Sequence, residues 1–206
     1  MVKVWAAKVF LGVICITCCS ESFAKTLDVT EFGAKPGSES GTAINRAIQT
    51  ANVGDVVFIG KGEWILSDKP IQAKSGVTVK GASLTETIIK HNSTAVEHPF
   101  FLIEGTSNFA VSDLTLEGNN NSLCTHGIDG GNVTNITISN VRVQNLVQSS
   151  EFGTFGVFFN GNAQQCTVKS CVFENIGVRS KWGAAIQVSQ LPNVPSSGSI
   201  LSLIHI

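Results

Sequence analysis

The most constraining feature of this sequence is a segment that recurs about every 27 to 30 residues through its second half. Its three copies align at residues 108–118, 135–145 and 165–175. A shorter apolar element recurs in phase with them, at residues 101–103, 128–130, 157–159 and 186–188. Repeats of this length are typical of stacked units that bury one continuous core, because a single unit has too little apolar surface to fold alone.

Each copy of the long segment has the pattern of two short strands joined at a corner. Ile136 and Ile138 alternate with polar residues, which is the two-residue period of a half-buried strand. The phase of the alternation changes at Asn140, and Asp113 and Ser170 hold the same place in the other copies. Polar side chains at such a corner satisfy the backbone groups of the turn and bond to their stacked neighbours. The pattern predicts an all-β fold, a single-stranded right-handed parallel β-helix.

Two other folds fit the pattern less well. Leucine-rich repeats need a shorter period and a leucine signature, and this sequence has neither. A β-sandwich has turns at short intervals but no fixed long period.

The first half of the chain predicts a cap for this β-helix. Its apolar side chains recur at the i, i+3, i+4 and i+7 spacing of one helical face, at Ile44, Ala47, Ile48 and Ala51 within residues 41–51. Ser38 or Ser40 is placed to cap the start of that helix. An amphipathic helix before the first coil would cover the open end of the solenoid, whose exposed edge otherwise invites aggregation.

The two ends of the chain differ from the repeat. Residues 1–24 combine a basic start, a short apolar stretch and a small-residue cleavage site. These features predict a signal peptide and a secreted, extracellular protein (periplasmic in a Gram-negative bacterium), and the apolar stretch is too short for a membrane span. Residues 191–206 do not fit the repeat, so we predict an irregular, non-native tail. It would follow a β-helix domain of residues 25–190 that is incomplete at its C-terminal end.

Net charge limits the binding partners to expect, and the cysteine count limits the disulfide bonds that the chain can form. A formal net charge of −1 favours neither nucleic acid nor an anionic membrane, and we expect a monomer. Without the signal peptide the chain keeps Cys124, Cys166 and Cys171, so one thiol is free or pairs outside this sequence. The repeat places Cys166 and Cys171 at inward, core positions. Four N-x-Ser/Thr sequons begin at Asn92, Asn120, Asn132 and Asn135.

A series of motifs in the first half resembles the opening of the pectate-lyase superfamily, the group with rhamnogalacturonase-like and epimerase-like β-helices. The motifs follow in order at residues 28–35, 42–51, 54–59, 62–66, 75–82 and 87–90. The resemblance implies a polysaccharide-acting β-helix that binds sugar on the outer face of one parallel sheet. Two features depart from the family. Residues 38–41 lack the paired acidic residues common before the capping helix, and the paired-Asp signature of polygalacturonase-type hydrolases is missing.

One row of the repeat carries side chains suited to sugar. If Ile128 and its equivalents point inward, Asp129, Phe158 and Gln187 form an outward column. A carboxylate, an aromatic platform and an amide in one row favour a sugar-binding surface. Asn121 and Trp182 lie close to this row in the predicted register, and we predict that they contact substrate as well.

The chemistry depends on which groups lie beside the column. Lyase chemistry on a uronic acid needs a base for the proton α to the carboxylate and a cation for the developing charge. Lys181 or His126 is the predicted base, and Arg179 the cation. Hydrolysis needs two carboxylates instead, and Asp129 and Glu151 are the evident pair. Calcium, which takes oxygen ligands flexibly, could bridge an acidic sugar to Asp129, and no other cofactor is predicted.

These observations predict an extracellular, polysaccharide-active β-helix protein. Its expected reaction is that of a lyase or a related hydrolase or epimerase on a uronic acid-containing polysaccharide. The alternative is a non-catalytic carbohydrate-binding or adhesive β-helix module, which would bind sugar without turnover.

Overall fold

The computed structural model describes residues 24–147, 153–177 and 182–189. Across these residues the chain winds into a solenoid of about five turns whose strands pair in parallel. The predicted parallel β-helix is therefore confirmed. The predicted signal peptide and the tail at residues 191–206 lie outside the described residues, except for Ala24.

Fourteen strands are described, in addition to one short 3₁₀ turn at Val29–Phe32 and one α-helix. The first seven strands are β1 Thr26–Asp28, β2 Val56–Ile59, β3 Gly62–Leu66, β4 Ile71–Gln72, β5 Thr78–Gly81, β6 Thr87–His91 and β7 Phe101–Leu102. The remaining strands are β8 Ala110–Glu117, β9 His126–Thr134, β10 Thr137–Leu146, β11 Thr154–Gln164, β12 Thr167–Lys169, β13 Val172–Ile176 and β14 Gly183–Ser189.

The strands form two parallel sheets that wrap around one core. The larger sheet runs β1-β2-β5-β8-β10-β12, with β3-β6-β8 and β10-β13 pairing beside that path. Because β8 and β10 each pair with different strands along their length, this sheet bends at a corner. The smaller sheet has the order β14-β11-β9-β7-β4, and its outer face carries the predicted sugar-binding column.

The corners lie where the sequence predicts them. Asp113, Asn140 and Ser170 have positive φ angles of 60°, 52° and 54°, the left-handed region that short polar side chains tolerate best. Asn140 Nδ2 donates a 2.7 Å hydrogen bond to Oδ1 of Asp113 on the adjoining coil. β8 and β10 continue through their corners, whereas Ser170 separates β12 from β13.

A second polar stack, which was not predicted, lies at the first residue of each copy of the long segment. Asn108, Asn135 and Gln165 also have positive φ angles, of 53°, 55° and 54°. Asn135 Nδ2 donates a 2.7 Å hydrogen bond to Oδ1 of Asn108. The side-chain hydrogen bonds in these two stacks join neighbouring coils at their corners and so fix the register between them.

The predicted cap is α1, Gly41–Thr50, which buries Ile44, Ala47 and Ile48 and packs against β2, β3 and β4 of the first coils. The expected serine occupies the cap position, but its side chain does not bond to the helix. Ser40 is the N-cap residue, yet its hydroxyl donates to the carbonyl oxygens of Lys35 and Ser38, at 3.2 and 3.0 Å, and accepts no amide of the helix. The backbone turn before the helix competes successfully for that hydroxyl.

Cys124, Cys166 and Cys171 are buried free thiols among the described residues, and burial raises the pKa of each. The core placement of Cys166 and Cys171 is confirmed. Within the described part of the chain, no helix has both the length and the apolar character needed to cross a bilayer.

Candidate functional site

The predicted outward column is present on the smaller sheet. In the strand register Asp129 lies beside Phe158, and Phe158 lies beside Gln187. Ile128 and Val157, one residue earlier, are fully buried. The column therefore presents a carboxyl, an aromatic ring and an amide on one outer face, as the repeat predicted.

An open groove of about 490 Å³ lies along this face. Its lining residues are His126, Phe155, Phe158, Trp182, Gln187 and Ser189. Four of these were predicted from sequence, and the fold brings them together from three strands and one loop. Asp129 does not line the groove itself, but it lies beside the groove-lining Phe158 in the strand register.

Aromatic rings form one wall of the groove. The ring centroids of His126 and Phe155 lie 5.4 Å apart with an interplanar angle of 14°, and Phe158 lies 5.3 Å from His126 and 5.0 Å from Phe155. Trp182 keeps 66% of its surface exposed. Rigid aromatic faces of this kind suit the apolar C–H face of a sugar ring, with polar groups at the edge fixing its orientation.

His126 is held in one tautomer. Its Nδ1 accepts the backbone N–H of Phe155 at 3.1 Å. An amide can only donate, so Nδ1 carries no proton and the neutral ring carries its proton on Nε2. Burial lowers the pKa of His126 to about 4, so the ring is neutral at physiological pH. This arrangement favours a hydrogen-bond donor at Nε2 and opposes the predicted role of general base.

Asp129 has the opposite perturbation. Its pKa is raised from 3.8 to about 6, chiefly by burial; the 3.1 Å hydrogen bond donated by Asn160 Nδ2 opposes this shift, and the nearby Glu104 carboxylate adds to it. Desolvation outweighs this one hydrogen bond because it penalises the whole carboxylate charge. A carboxyl group with a pKa near neutrality can both accept and return a proton.

Sequence reasoning missed Glu104 and Asn160. Asn160 lies beside Gly131 in the register, and Glu104 accepts hydrogen bonds from Gly131 N at 2.6 Å and from Asn132 Nδ2 at 3.0 Å. Both residues directly follow copies of the short repeated element. Extending that element by one residue per coil would have placed them in a second outward row.

Asn121 is engaged within its own loops. Its Nδ2 donates to the carbonyl oxygen of Ser93 at 2.8 Å, and its Oδ1 accepts the amide of Leu123 at 2.8 Å. A role in substrate binding stays a prediction for this residue.

Three predicted catalytic residues, Glu151, Arg179 and Lys181, lie outside the described residues. Across residues 24–147, 153–177 and 182–189, no three or more His, Cys, Asp or Glu side chains group closely enough to hold a metal ion. A calcium ion shared with substrate stays a prediction.

Comparison with known families identifies the first half of the chain. Residues 26–102 match the family described as rhamnogalacturonase A/epimerase, pectate lyase-like. This match confirms the resemblance to the pectate-lyase superfamily.

Individual relatives include mannuronan epimerases. Mannuronan C5-epimerase AlgE3 of Azotobacter vinelandii is 36% identical over 112 residues, which cover 47% of this chain and 6% of the epimerase. This chain therefore corresponds to a small part of that protein.

Solved structures agree on the fold alone. The A-module of mannuronan C-5 epimerase AlgE4 from Azotobacter vinelandii has a TM-score of 0.54 and 22% identity, covering 78% of this chain and 53% of the module. ORF18 of Geobacillus virus E2 has a TM-score of 0.61 and 18% identity, covering 80% of this chain and 40% of that one.

Proposed function

We propose, on the premise that residues 26–102 match the pectate-lyase-like family, that this chain is part of a carbohydrate-active enzyme. Its substrate would be a uronic acid-containing polysaccharide, and its first step the removal of the proton α to a uronate carboxylate. The observation that carries the proposal is Asp129, an outward carboxyl with a pKa of about 6 that lies beside the groove-lining Phe158 in the strand register.

Asp129 fits the role of the base in this step. The proton at C5 of a uronate is only weakly acidic, so the base must be ionised at the working pH and close to the sugar ring. With a pKa of about 6, the carboxyl is largely ionised at neutral pH and still basic enough to hold a proton briefly. Asn160 orients it by donating to Oδ1.

His126 fits a complementary role as donor. Removal of the C5 proton moves negative charge into the substrate carboxylate, where a donor stabilises it. The neutral ring lines the groove and carries its proton on Nε2, while Nδ1 remains bonded to the amide of Phe155. Arg179 and Lys181 remain proposed sources of positive charge at the same place.

The proton-transfer step has two possible continuations. If a proton returns to C5 from the opposite face, the product is the C5 epimer. If the C4–O bond breaks instead, the product is an unsaturated chain end and the leaving oxygen takes a proton. The epimerase names of the relatives favour the first continuation, and the shared first step explains why both chemistries suit one site.

The proposed setting is extracellular, because residues 1–24 have the composition of a signal peptide and polysaccharides of this kind lie outside cells. A monomer is sufficient, since every proposed group comes from one chain.

The test is incubation of the full chain with mannuronan in deuterium oxide, followed by proton NMR. We expect exchange of the C5 proton and formation of the C5 epimer, whereas unsaturated ends would indicate elimination. Asp129→Asn is the matched control, and it should abolish exchange while retaining binding. Binding without any exchange by the parent chain would contradict the proposal and favour the non-catalytic module.

A further inference from the structure

The four sequons of this chain fall in two different structural settings. Asn92 and Asn120 lie in exposed loops, after β6 and β8 respectively. Asn132 lies within β9, and Asn135 lies at the corner between β9 and β10. All four asparagines are exposed, and a glycan is transferred before the chain folds, so a modified chain reaches this fold only where the folded surface has space for the sugar.

The Asn92 sequon is held in an exposed turn. Asp68 Oδ1 accepts the hydroxyl of Ser93 at 2.9 Å and the amide of Thr94 at 3.1 Å, which fixes the backbone of the turn. Asn92 and Thr94 are both exposed, while Ser93 between them is buried. Among the described contacts, none engages the side-chain amide of Asn92.

The Asn120 sequon lies on the next coil. Asn120 and Ser122 are exposed, and the intervening Asn121 points back to donate to the carbonyl of Ser93. This bond joins the two loops, and the side-chain amide of Asn120 takes no part in it.

Asn132 and Asn135 use their amides to hold neighbouring coils. Asn132 Nδ2 donates to Glu104 at 3.0 Å, and Asn135 Nδ2 donates to Asn108 at 2.7 Å. A sugar on either nitrogen would replace one of its two protons with a bulky ring beside the adjoining coil, which opposes native stacking.

We infer that Asn92 and Asn120 accept N-linked glycans when the chain passes through a eukaryotic secretory pathway, and that Asn132 and Asn135 stay unmodified in the folded protein. The donor is an oligosaccharide linked to a polyprenyl pyrophosphate. A bond forms between Nδ2 and C1 of its first sugar, and the bond from C1 to the pyrophosphate oxygen breaks. The lipid pyrophosphate leaves, and the amide nitrogen loses one proton.

The test expresses the full chain in insect cells behind a host secretion signal, so that entry does not depend on residues 1–24. Enzymatic deglycosylation in heavy-oxygen water marks each occupied asparagine, and peptide mass spectrometry reads the marks in the protease-resistant fraction. We expect marks at Asn92 and Asn120. An unmarked Asn92, an unmarked Asn120, or a mark at Asn132 or Asn135 overturns the inference.

Hydroxyl variants provide matched controls that leave every asparagine in place. Thr94→Ala and Ser122→Ala should each remove one glycan, whereas Thr134→Ala and Thr137→Ala should remove none. Gel mobility of the protease-resistant fraction retained in the cells reads the same glycan number, so poor secretion of a variant does not prevent a decision. An unchanged glycan number in Thr94→Ala contradicts the assignment of Asn92.

Discussion

Asn160 donates a 3.1 Å hydrogen bond from Nδ2 to Oδ1 of Asp129, which lies one coil earlier on the same outer face. This bond favours the ionised carboxylate, while burial and the Glu104 carboxylate favour the neutral acid. Compared with a free aspartic acid, the neutral form of Asp129 is favoured overall, because its pKa is raised from 3.8 to about 6. The candidate site therefore keeps a carboxylate at neutral pH at some cost in stability, which is a common property of functional groups.

Asp129→Asn should stabilise the protein at neutral pH and not near pH 4. The folded pKa of about 6 lies above the ordinary 3.8, so Asp129 favours folding below pH 3.8 and loses that contribution as pH rises through 6. Asparagine carries no charge and avoids this loss. After allowance for solvent screening, we expect a gain of about 1–2 kcal/mol at neutral pH.

Urea unfolding of both proteins at neutral pH and near pH 4 measures this difference. An equal difference in unfolding free energy at the two pH values would show that the Asp129 carboxyl is not perturbed.

His126 should make the protein sensitive to acid. Its folded pKa of about 4 lies below the ordinary 6.5, so between these two pH values the unfolded chain binds a proton that the folded chain does not bind. Stability is full above pH 6.5 and is lost as pH falls toward 4. His126→Asn, whose Oδ1 can still accept the amide of Phe155, should lose less stability over that range than the parent does.

His126→Phe tests the contribution of the hydrogen bond to stability separately from that of the aromatic ring contacts. It preserves the aromatic contacts but leaves the buried amide of Phe155 without its acceptor, at a cost of about 1–3 kcal/mol. Thermal unfolding at neutral pH should therefore rank His126→Phe below His126→Asn. The reverse order would contradict the assigned tautomer.

The fold was predictable because the repeat determines the register. The alignment of the three long segments places the corners at Asp113, Asn140 and Ser170. The short element that recurs in phase with them places the column at Asp129 and Phe158. A single phase error would have turned every side chain to the wrong face. The alternation of buried and exposed residues within each copy was sufficient to exclude that error.

The electrostatics of the site were not predictable in the same way. The tautomer of His126 depends on an amide 29 residues later, and the pKa of Asp129 depends on burial that no local pattern records. Ser40 takes the N-cap position without a side-chain bond to the helix for a related reason, since its hydroxyl has a choice of acceptors that only the folded turn presents.

The corner residues should respond to glycine and alanine in opposite ways. Ser170 has a φ of 54° and a Cβ that disfavours it, so Ser170→Gly should stabilise by about 0.5–1 kcal/mol. Asn140→Ala loses both the bond to Asp113 and the tolerance of positive φ, and should cost about 2 kcal/mol. Asn140→Gly loses only the bond and should cost about half as much, as measured by urea unfolding. If the glycine variant is the less stable of the two, backbone strain does not govern the corner.

Close packing of neighbouring coils beside the candidate site leaves no room for a side chain at Gly131. A Cβ at this position would overlap the carbonyl oxygen of Asn160 and crowd its Oδ1. Gly131→Ala must therefore separate β9 from β11 locally, and we expect a cost of about 1–3 kcal/mol. Gly60→Ala is the matched control, because its added Cβ would meet only a ring carbon of Phe58 at 3.8 Å, an ordinary contact.

Displacement of Asn160 also removes its hydrogen bond to Asp129, so the pKa of that carboxyl should rise above 6. The pH dependence of C5 proton exchange measures the rise, and Asn160→Ala should reproduce it without the loss of stability caused by the backbone overlap. If Gly131→Ala matches Gly60→Ala in both stability and pH dependence, the coils are not closely packed at this position and Asn160 does not control the carboxyl.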